Sequence, residues 1–575
     1  MMNFQQFTWL MRMGLFAALL IPVLMGVVGV LMPALGYFPA LGEMEIGFGV
    51  FATLFQVDGL ATMVGLSLFT GVISTLIATL GALALISVFY HHAWLAKIQR
   101  LLSPLLVIPH AAAAIALILL LSPSGWLARI VVWGSEAMPP QWDFPYDRGG
   151  LAIIFALALK ELPFIFLILL STLEQPQLKR RFDGYLKTAQ SLGYSPVMSL
   201  VKTVLPVVYP HIRLPLLAVL AYATANVEIP LILGPNDPPT LAVAILHWFN
   251  HVDLSLRFQA SAAALLQLAV TLFALVFWLI LERAVRLLTQ ESLVRGRSFG
   301  VEHLFKFVAY FFVVLYFVMA LLMMLSLVLW SLATYWSFPD LLPQGVTLLH
   351  WQTALTALST PIVNSLGLGI VVSLSAVCLV LFALEAEVGQ VMHKKGRWRQ
   401  WEHWLLNVTL YLPLIIPGVA FLFGLVWFQQ VYWPKLLWFN VYISHFVYVL
   451  PYVFISLAVS YRRFEPRYLK VAAGLGIGPL QTFLHVKLPL LFRPILVAFA
   501  LGLSISFSQY LPTLLASGGR MATVTTEAVA IVSGSSTRLS AVYVLVQLIL
   551  PLLGFVLAWW LPKVCFNPKT ETTHK

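Results

Sequence analysis

One sequence occurs twice in this chain, as YLKTAQSLGYSPVMSLVKTVLP at 185–206 and as YLKVAAGLGIGPLQTFLHVKLP at 468–489. Nine of the 22 aligned positions are identical without a gap. A repeat with this separation indicates a protein built from related structural units, and repeats should be identified before single motifs are interpreted. We therefore expect two homologous halves, a first repeat at 1–290 and a second at 291–575.

Each copy predicts a helix that stops at a glycine. The apolar periodicity of the two copies ends at Leu192 and Leu475, and Gly193 or Gly476 follows directly. Glycine is the residue that most readily takes the left-handed backbone conformation that closes a helix. We expect both glycines to have positive φ, so that each copy turns sharply at this point.

A second short helix is expected to follow each turn. Ser195-Pro196 and Gly478-Pro479 each place a proline at a predicted first helical position, where its missing N–H costs nothing. Leu205-Pro206 and Leu488-Pro489 are expected to end these helices. One face of each helix would then present apolar side chains to the cytoplasm, namely Val197, Leu200, Val201 and Val204 in the first copy and Leu480, Phe483 and Leu484 in the second. An exposed apolar face indicates a protein partner.

The composition indicates that most of the chain lies in a membrane. Of the 575 residues 61% are hydrophobic and only 10% are charged, with a mean hydropathy of +0.92. Soluble domains carry about 25% charged residues, so this chain has too little polar surface to be wetted by water. We predict an all-α membrane protein, because a lone strand cannot satisfy its backbone in lipid.

About twelve transmembrane helices are predicted, since each needs about 20 apolar residues to cross the hydrocarbon. They form two parallel repeats of six, and each copy of the repeated loop follows the fourth span of its half. The expected spans are 13–35, 63–88, 104–122, 151–170, 212–233, 260–281, 307–332, 364–384, 404–428, 438–459, 494–516 and 541–562.

The distribution of positive charge predicts the orientation. With the N-terminus inside, about 27 of the 34 lysines and arginines lie in inside segments and about 6 outside. Both termini and both repeated loops are then cytoplasmic. The net charge of +12 does not indicate nucleic-acid binding, because the basic residues lie in short loops between apolar segments instead of forming a patch on a soluble surface.

The repeated loops resemble the cytoplasmic "EAA…G…P" signature of the permeases of binding-protein-dependent ABC importers. The resemblance covers the spacing of the motif, the six-span halves and the position between the fourth and fifth spans. It implies cytoplasmic coupling helices that dock an ATP-binding subunit, with two copies of that subunit expected. The residues that match or stand at the motif positions are Lys187, Ala189, Gly193, Pro196, Pro206, Lys470, Ala472, Gly476, Pro479 and Pro489.

The fused double form resembles the permeases of thiamine and ferric-ion importers. This resemblance implies a multi-pass protein of the bacterial inner membrane, surrounded by lipid, and a separate periplasmic or extracellular solute-binding protein. One departure is that Lys187 and Lys470 stand where the family often has a glutamate, so an ion pair from that glutamate to the ATPase is not carried over.

The chain itself is not expected to be an enzyme. It contains no G-x-x-x-x-G-K-[ST] phosphate-binding loop, so a separate ATPase must supply the energy. Its two cysteines, Cys378 and Cys565, give no disulfide framework, and its histidines show no ligand spacing. We expect no cofactor and no metal site.

Four polar residues in or near the spans are candidates for the translocation pathway. Lys160 and Glu161 lie within the fourth span, where charge is costly, and either line the pathway or pair with neighbouring helices. Glu228 precedes Pro230, and Gln509 precedes Pro512 at the corresponding place in the second half. These two either line an outer gate or partner the backbone groups that a proline frees.

The main alternative function is a secondary transporter of the major-facilitator kind, which also has twelve spans in two parallel halves. Such proteins often carry a D-R-x-G loop inside, between the second and third spans. The chain's only D-R-G, at 147–149, lies outside between the third and fourth spans. The solute is left open between a thiamine-like cation, ferric ion, and a polyamine or another small solute.

Overall fold

The computed structural model describes residues 4–132, 138–294, 299–391, 397–534 and 536–565. Helices make up most of this part of the chain, as the composition predicts. The helices of the first half are α1 (Phe4–Ala34), α2 (Gly49–Leu54), α3 (Leu60–Phe89), α4 (Leu95–Val107), α5 (His110–Leu121), α6 (Trp126–Val131), α7 (Leu151–Leu173), α8 (Pro176–Ser191), α9 (Pro196–Ser199), α10 (Leu205–Thr224), α11 (Glu228–Leu233), α12 (Leu241–Phe249) and α13 (Leu256–Val294).

The second half follows nearly the same order. Its helices are α14 (Phe299–Leu332), α15 (Leu349–Ala357), α16 (Ser359–Val391), α17 (Arg397–Ile415), α18 (Gly418–Tyr432), α19 (Leu437–Arg462), α20 (Pro466–Gly474), α21 (Pro479–Thr482), α22 (Leu488–Leu490), α23 (Phe492–Ser508), α24 (Leu511–Ser517), α25 (Val524–Ser533) and α26 (Thr537–Cys565). Single π-helical turns, Leu200–Val204 and Phe483–Lys487, precede α10 and α22.

In the described residues, ten helices are long and apolar enough to cross a membrane, and two further bent pairs bring the total to twelve. Each of the twelve overlaps one of the twelve spans predicted from the sequence. The prediction is wrong in treating the third and ninth spans as single helices. Each is broken, at Ile108-Pro109 and at Ile416-Pro417, and the second break bends the span by 96°. A proline disfavours helical backbone in the residue before it, and Ile108 is extended with ψ 123°.

The fifth and eleventh spans are also interrupted, contrary to the prediction of single spans over 212–233 and 494–516. Helix α10 ends at Thr224 and α11 begins at Glu228, while α23 ends at Ser508 and α24 begins at Leu511. Pro230 and Pro512, which lack an N–H, lie in the first turn after each break, where proline is tolerated. Two further short apolar helices, α12 and α25, lie between these breaks and the sixth span of each half and were not predicted.

The two halves interlock through their first helices. Helix α1 packs against α16 and α18 of the second half, and α14 packs against α3 and α5 of the first. The α1–α18 contact brings backbone against backbone. A Cβ added to Gly424 would lie 1.8 Å from the carbonyl oxygen of Gly26, and one added to Gly29 would lie 2.5 Å from the carbonyl oxygen of Gly424. Small residues allow this close helix approach in membranes.

A buried arginine holds the halves together near the C-terminal end of α5. Arg129 on α6 is 2% exposed and donates hydrogen bonds to the carbonyl oxygens of Ser337 (2.5 Å) and Asp340 (3.0 Å) in the second half. Its guanidinium lies 4.7 Å from the ring centroid of Trp336 and 5.5 Å from that of Trp330. Backbone carbonyls and aromatic faces thus partner a charge that would be costly to bury alone.

Gly424→Ala is expected to destabilise the protein by about 1–3 kcal/mol, because the added methyl group overlaps backbone that cannot move aside. Gly367→Ala is the matched control, since a Cβ at Gly367 on α16 meets nothing within 4 Å. The measurement is the apparent melting temperature of the detergent-solubilised chain. Equal melting temperatures for the two variants would contradict the close α1–α18 contact.

Candidate functional site

The two repeated loops form matching helix–turn–helix elbows. Gly193 has φ 90° and Gly476 has φ 74°, so both glycines take the positive φ expected from the sequence. No other atom lies within 4 Å of a Cβ built at either position. The glycines are therefore required by the backbone conformation and not by lack of space.

The hydrogen bonds of each elbow form a Schellman motif. In the first elbow the N–H of Gly193 bonds to Gln190 at 3.0 Å, and that of Tyr194 to Ala189 at 3.2 Å. In the second, the N–H of Gly476 bonds to Ala473 at 3.1 Å, and that of Ile477 to Ala472 at 3.0 Å. These bonds satisfy the last carbonyls of the first helix and fix the angle at which the chain leaves it.

The start of the second helix also follows the prediction. Ser195 caps it by accepting the N–H of Met198 at 3.3 Å, and Pro196 is its first residue. Pro479 begins the corresponding helix in the second elbow, where Gly478 offers no side-chain cap. Leu192 and Leu475 both stand at the predicted helix ends.

The expected end of this second helix is wrong in the first elbow. The helix does not stop at Leu205-Pro206 but passes through the π turn into α10, so that helical backbone runs without a break from Pro196 to Thr224. In the π turn the N–H of Leu205 bonds to the carbonyl of Leu200, five residues back, directly before the proline that has no N–H. In the second elbow the helix stops at Leu490, and the chain bends by 74° into α23.

The predicted apolar face is exposed only in the second elbow, and this corrects the expectation for the first. Val197, Leu200 and Val204 are buried, and the last two belong to a hydrophobic core that consists mainly of residues of the first half. Leu480 and Leu484 are 48% and 46% exposed, whereas the neighbouring Phe483 is buried. The continuous helix of the first copy packs its apolar side inward, while the bend after Leu490 leaves that of the second copy open.

The second elbow has an exposed apolar patch, which includes residues on both of its helices. Leu475 at the turn is 72% exposed, and the first elbow has a counterpart in Leu192 at 74%. Lys187 and Lys470 are exposed on the helices that precede the turns, whereas Ala189 and Ala472 are buried. The members of the patch are Tyr468, Val471, Leu475, Leu480 and Leu484.

Each elbow also contacts the first helix of the opposite half. Ser195 in the first elbow donates a hydrogen bond of 2.6 Å to Glu302 at the start of α14. Phe483 in the second elbow packs against Phe4 at the start of α1, with ring centroids 5.8 Å apart. Each of these two helices, α14 and α1, therefore contacts the elbow of the opposite half.

A buried charge network, missed by the sequence reasoning, anchors the second elbow. Lys487 in its π turn is 3% exposed and pairs with Glu385 of α16, which also accepts the hydroxyl of Tyr461. Arg462 binds Glu387 two residues further along, through bonds of 2.9 and 3.1 Å. The available signal in the sequence was the pair of glutamates near the C-terminal end of α16, Glu385 and Glu387, whose charges need basic partners.

Lys160 and Glu161 lie at the break between α4 and α5. The ammonium of Lys160 donates to the carbonyl oxygens of Leu105 at 2.8 Å and Ile108 at 2.5 Å, which belong to the end of α4 and its cap. The carboxylate of Glu161 lies 3.3 Å from Nε2 of His110, the first residue of α5. A cation thus faces the negative end of one helix dipole and an anion the positive end of the next.

In the second half, an uncharged side chain lies beside the corresponding helix break at Pro417. Tyr448 stands two residues before Leu450-Pro451, as Lys160 stands before Leu162-Pro163. A Cβ added to Gly418, which follows Pro417, would lie 2.7 Å from the Tyr448 hydroxyl. A polar side chain from the fourth span therefore reaches the broken third span in both halves.

Glu228 and the segment around Gln509 meet between the halves. The carboxylate of Glu228 accepts the backbone N–H of Tyr510, and it interacts electrostatically with Lys160. The break in the second half is bridged by His445, whose ring nitrogens lie 3.0 Å from Ser506 Oγ and 2.8 Å from Thr513 Oγ1. The structure therefore brings Lys160, Glu161 and Glu228 into one polar region, with Gln509 beside it.

Tyrosines surround this polar region. Tyr222 packs against His110 with ring centroids 4.9 Å apart and interacts electrostatically with Glu161 and Tyr452. It nevertheless keeps 37% of its surface accessible. Part of the Tyr222 side chain therefore borders accessible space beside the polar region.

Comparison with known proteins agrees with this architecture. No family model matches the chain. It is 30% identical over 498 residues to the inner membrane ABC transporter permease protein YnjC of Escherichia coli, an alignment that covers 85% of this chain and 87% of that protein. The chain belongs to the ABC transporter permeases.

Two shorter similarities point to the same family. The permease is 27% identical over 176 residues to the spermidine/putrescine transport system permease protein PotC homolog of Mycoplasma genitalium, covering 30% of this chain and 59% of that protein. It is 32% identical over 183 residues to the putative 2-aminoethylphosphonate transport system permease protein PhnV of Salmonella typhimurium, covering 31% and 65%. These relatives are transport permeases, and the chain is accordingly a multi-pass protein of the inner membrane.

Lys160→Met is expected to destabilise the permease by about 1–3 kcal/mol, because it leaves the two α4 carbonyls buried without a donor. Lys187→Met is the matched control, since Lys187 is exposed on α8 and its charge contributes little to stability. Apparent melting temperatures in detergent measure both effects. A Lys160→Met protein as stable as the control would rule out the capping role of this side chain.

Proposed function

We propose that this permease forms the translocation pathway of an importer for a small solute. A separate solute-binding protein delivers the solute, and two copies of a separate ATPase dock on the two elbows. The observation that carries the proposal is the pair of elbows with the same Schellman geometry and with positive φ at Gly193 and Gly476. We further propose that 1–290 and 291–575 are the two repeats, consistent with the matching order of helices.

In the proposed orientation both termini and both elbows are cytoplasmic. The excess of lysine and arginine in the segments on this side supports it. The helices before the turns, α8 and α20, carry basic residues and lie outside the long apolar spans. They are therefore accessible to a soluble partner.

The second elbow is proposed as the firmer docking site. Its patch of five exposed apolar side chains loses water when a partner covers it, which is the main driving force for association. Lys187 and Lys470, which replace the motif's usual glutamate, favour an ATPase groove with acidic groups. Pro196, Pro206, Pro479 and Pro489 would set the backbone course of the two loops around the glycines.

The pathway is proposed to run between the halves, along the polar region. Glu228, Gln509 and the tyrosines that border the accessible space are its proposed lining. The contacts of Lys160 and Glu161 favour the pairing interpretation for these two, which would hold the broken third span open beside the pathway. The solute class includes the thiamine-like cations, ferric ion and polyamines suggested by the family resemblance, together with the aminophosphonate named for one relative.

Gly193→Asp and Gly476→Asp test the elbows. Each forces a side chain into positive φ at a cost of about 1 kcal/mol and changes the angle of the second helix. We expect near-normal amounts of each variant in the membrane, loss of the co-purifying ATPase and at least tenfold lower uptake. The loss should be larger for Gly476→Asp, because the second elbow exposes the apolar patch.

Gly478→Ser is the matched control. Gly478 has φ −67° and free space around it, and the first elbow carries serine at this position. This variant should retain the ATPase and full uptake. Retention of both by Gly193→Asp and Gly476→Asp would contradict the docking role of the elbows.

A further inference from the structure

A cavity of about 530 Å³ opens where α1 and α18 end and α13 begins, which is the outer face in the proposed orientation. Both halves contribute to its wall. Its volume falls within the usual range of small-molecule sites. The polar lining residues are Asn250, Arg257, Ser261, Gln430 and Arg520, and none of the lining residues is acidic.

Arg257 lines the cavity, and an aromatic ring holds its guanidinium in place. Its guanidinium lies 5.3 Å from the ring centroid of Phe249, which stacks on Phe423 with centroids 4.0 Å apart. Within the described residues, its buried Nε has no hydrogen-bond partner. The Nε itself is closed to solvent, but the guanidinium lines the cavity and no carboxylate of the described residues pairs with it. Its charge is therefore available to an anion that enters the cavity.

Arg520 brings a second positive charge to the same cavity. It is exposed and follows Gly518 and Gly519, whose φ values of 56° and 75° turn the chain at the end of α24. Its Nε donates to the carbonyl oxygen of Ser517 at 3.2 Å, which orients the guanidinium. Two arginines that share a cavity without a carboxylate repel each other until an anion lies between them.

We propose that this cavity binds an oxyanion group, a carboxylate, phosphate or phosphonate, through Arg257 and Arg520. Guanidinium groups match such anions with paired hydrogen bonds. Asn250, Ser261 and Gln430 add neutral polar groups, and Trp427 closes the wall with apolar surface. The oxyanion belongs either to a solute entering from outside or to a lipid headgroup. Only the first of these sources rests on the proposed importer function.

The test uses the full chain alone in nanodiscs, so that its outcome does not depend on an ATPase. Inorganic phosphate and methylphosphonate are titrated calorimetrically, with choline chloride at equal ionic strength as the cation control. We expect saturable binding of both oxyanions and none of choline. Arg257→Gln and Arg520→Gln should each weaken binding at least tenfold, while Arg257→Lys should weaken it less than Arg257→Gln.

Arg148→Gln is the matched control, because Arg148 is exposed in a loop of the same face and does not line the cavity. It should bind as the unaltered chain does. Nanodiscs of phosphatidylcholine and of phosphatidylglycerol distinguish the sources. Binding in both identifies a free solute anion, and binding suppressed by phosphatidylglycerol identifies a lipid headgroup.

Two outcomes would overturn the proposal. One is absence of oxyanion binding in both kinds of nanodisc, and the other is unchanged affinity in the glutamine variants. Since Arg520 is exposed, Arg520→Gln keeps the test decisive if Arg257→Gln fails to fold. Failure here would leave the ATPase-docking result unaffected, because that is measured on the elbow variants.

Discussion

Breaks in helices that cross the bilayer must be satisfied from within the protein, because lipid offers no hydrogen bonds. The α4–α5 break at Pro109 depends on this constraint most directly. Lys160 accounts for two of the freed carbonyls, and Ser504 of the second half donates to a third, on Val107, at 3.4 Å. A region of irregular backbone is thereby kept inside the bundle, between the two halves, beside the proposed pathway.

The same constraint joins the two halves, which do not form separate helix bundles. Glu228 of the first half accepts an N–H from Tyr510 of the second, and Gly26 and Gly424 bring α1 and α18 into backbone contact. The first helices then continue to the elbows, through Ser195 with Glu302 and Phe483 with Phe4. Each elbow therefore contacts the opposite half as well as its own.

Much of this arrangement could be predicted from the sequence, because it depends on local rules. Gly193 and Gly476 take positive φ because each closes a helix, and the repeat shows a glycine at this position in both copies. The apolar runs locate all twelve spans. Pro109 and Pro417 are visible in the sequence within these apolar runs. Their effect was missed because span prediction follows apolar content, which continues unchanged across each break.

The remaining errors concern tertiary packing. The burial of Val197 and Val204 depends on the first elbow's helix continuing into α10, and the similar sequence of the second copy gives no sign that one will bend and the other will not. Arg129 binds Ser337, and Lys487 binds Glu385. In both cases the two partners are over 100 residues apart in sequence. Such partners are defined by the fold alone.

The central claim is that this permease moves its solute with energy taken from a docked ATPase. The most direct measurement is uptake into liposomes that contain the permease with or without its co-purified ATPase, with the binding protein added outside. The account predicts accumulation that requires both the ATPase and internal ATP. Accumulation driven by a proton or sodium gradient, in liposomes that contain the permease alone, would contradict it.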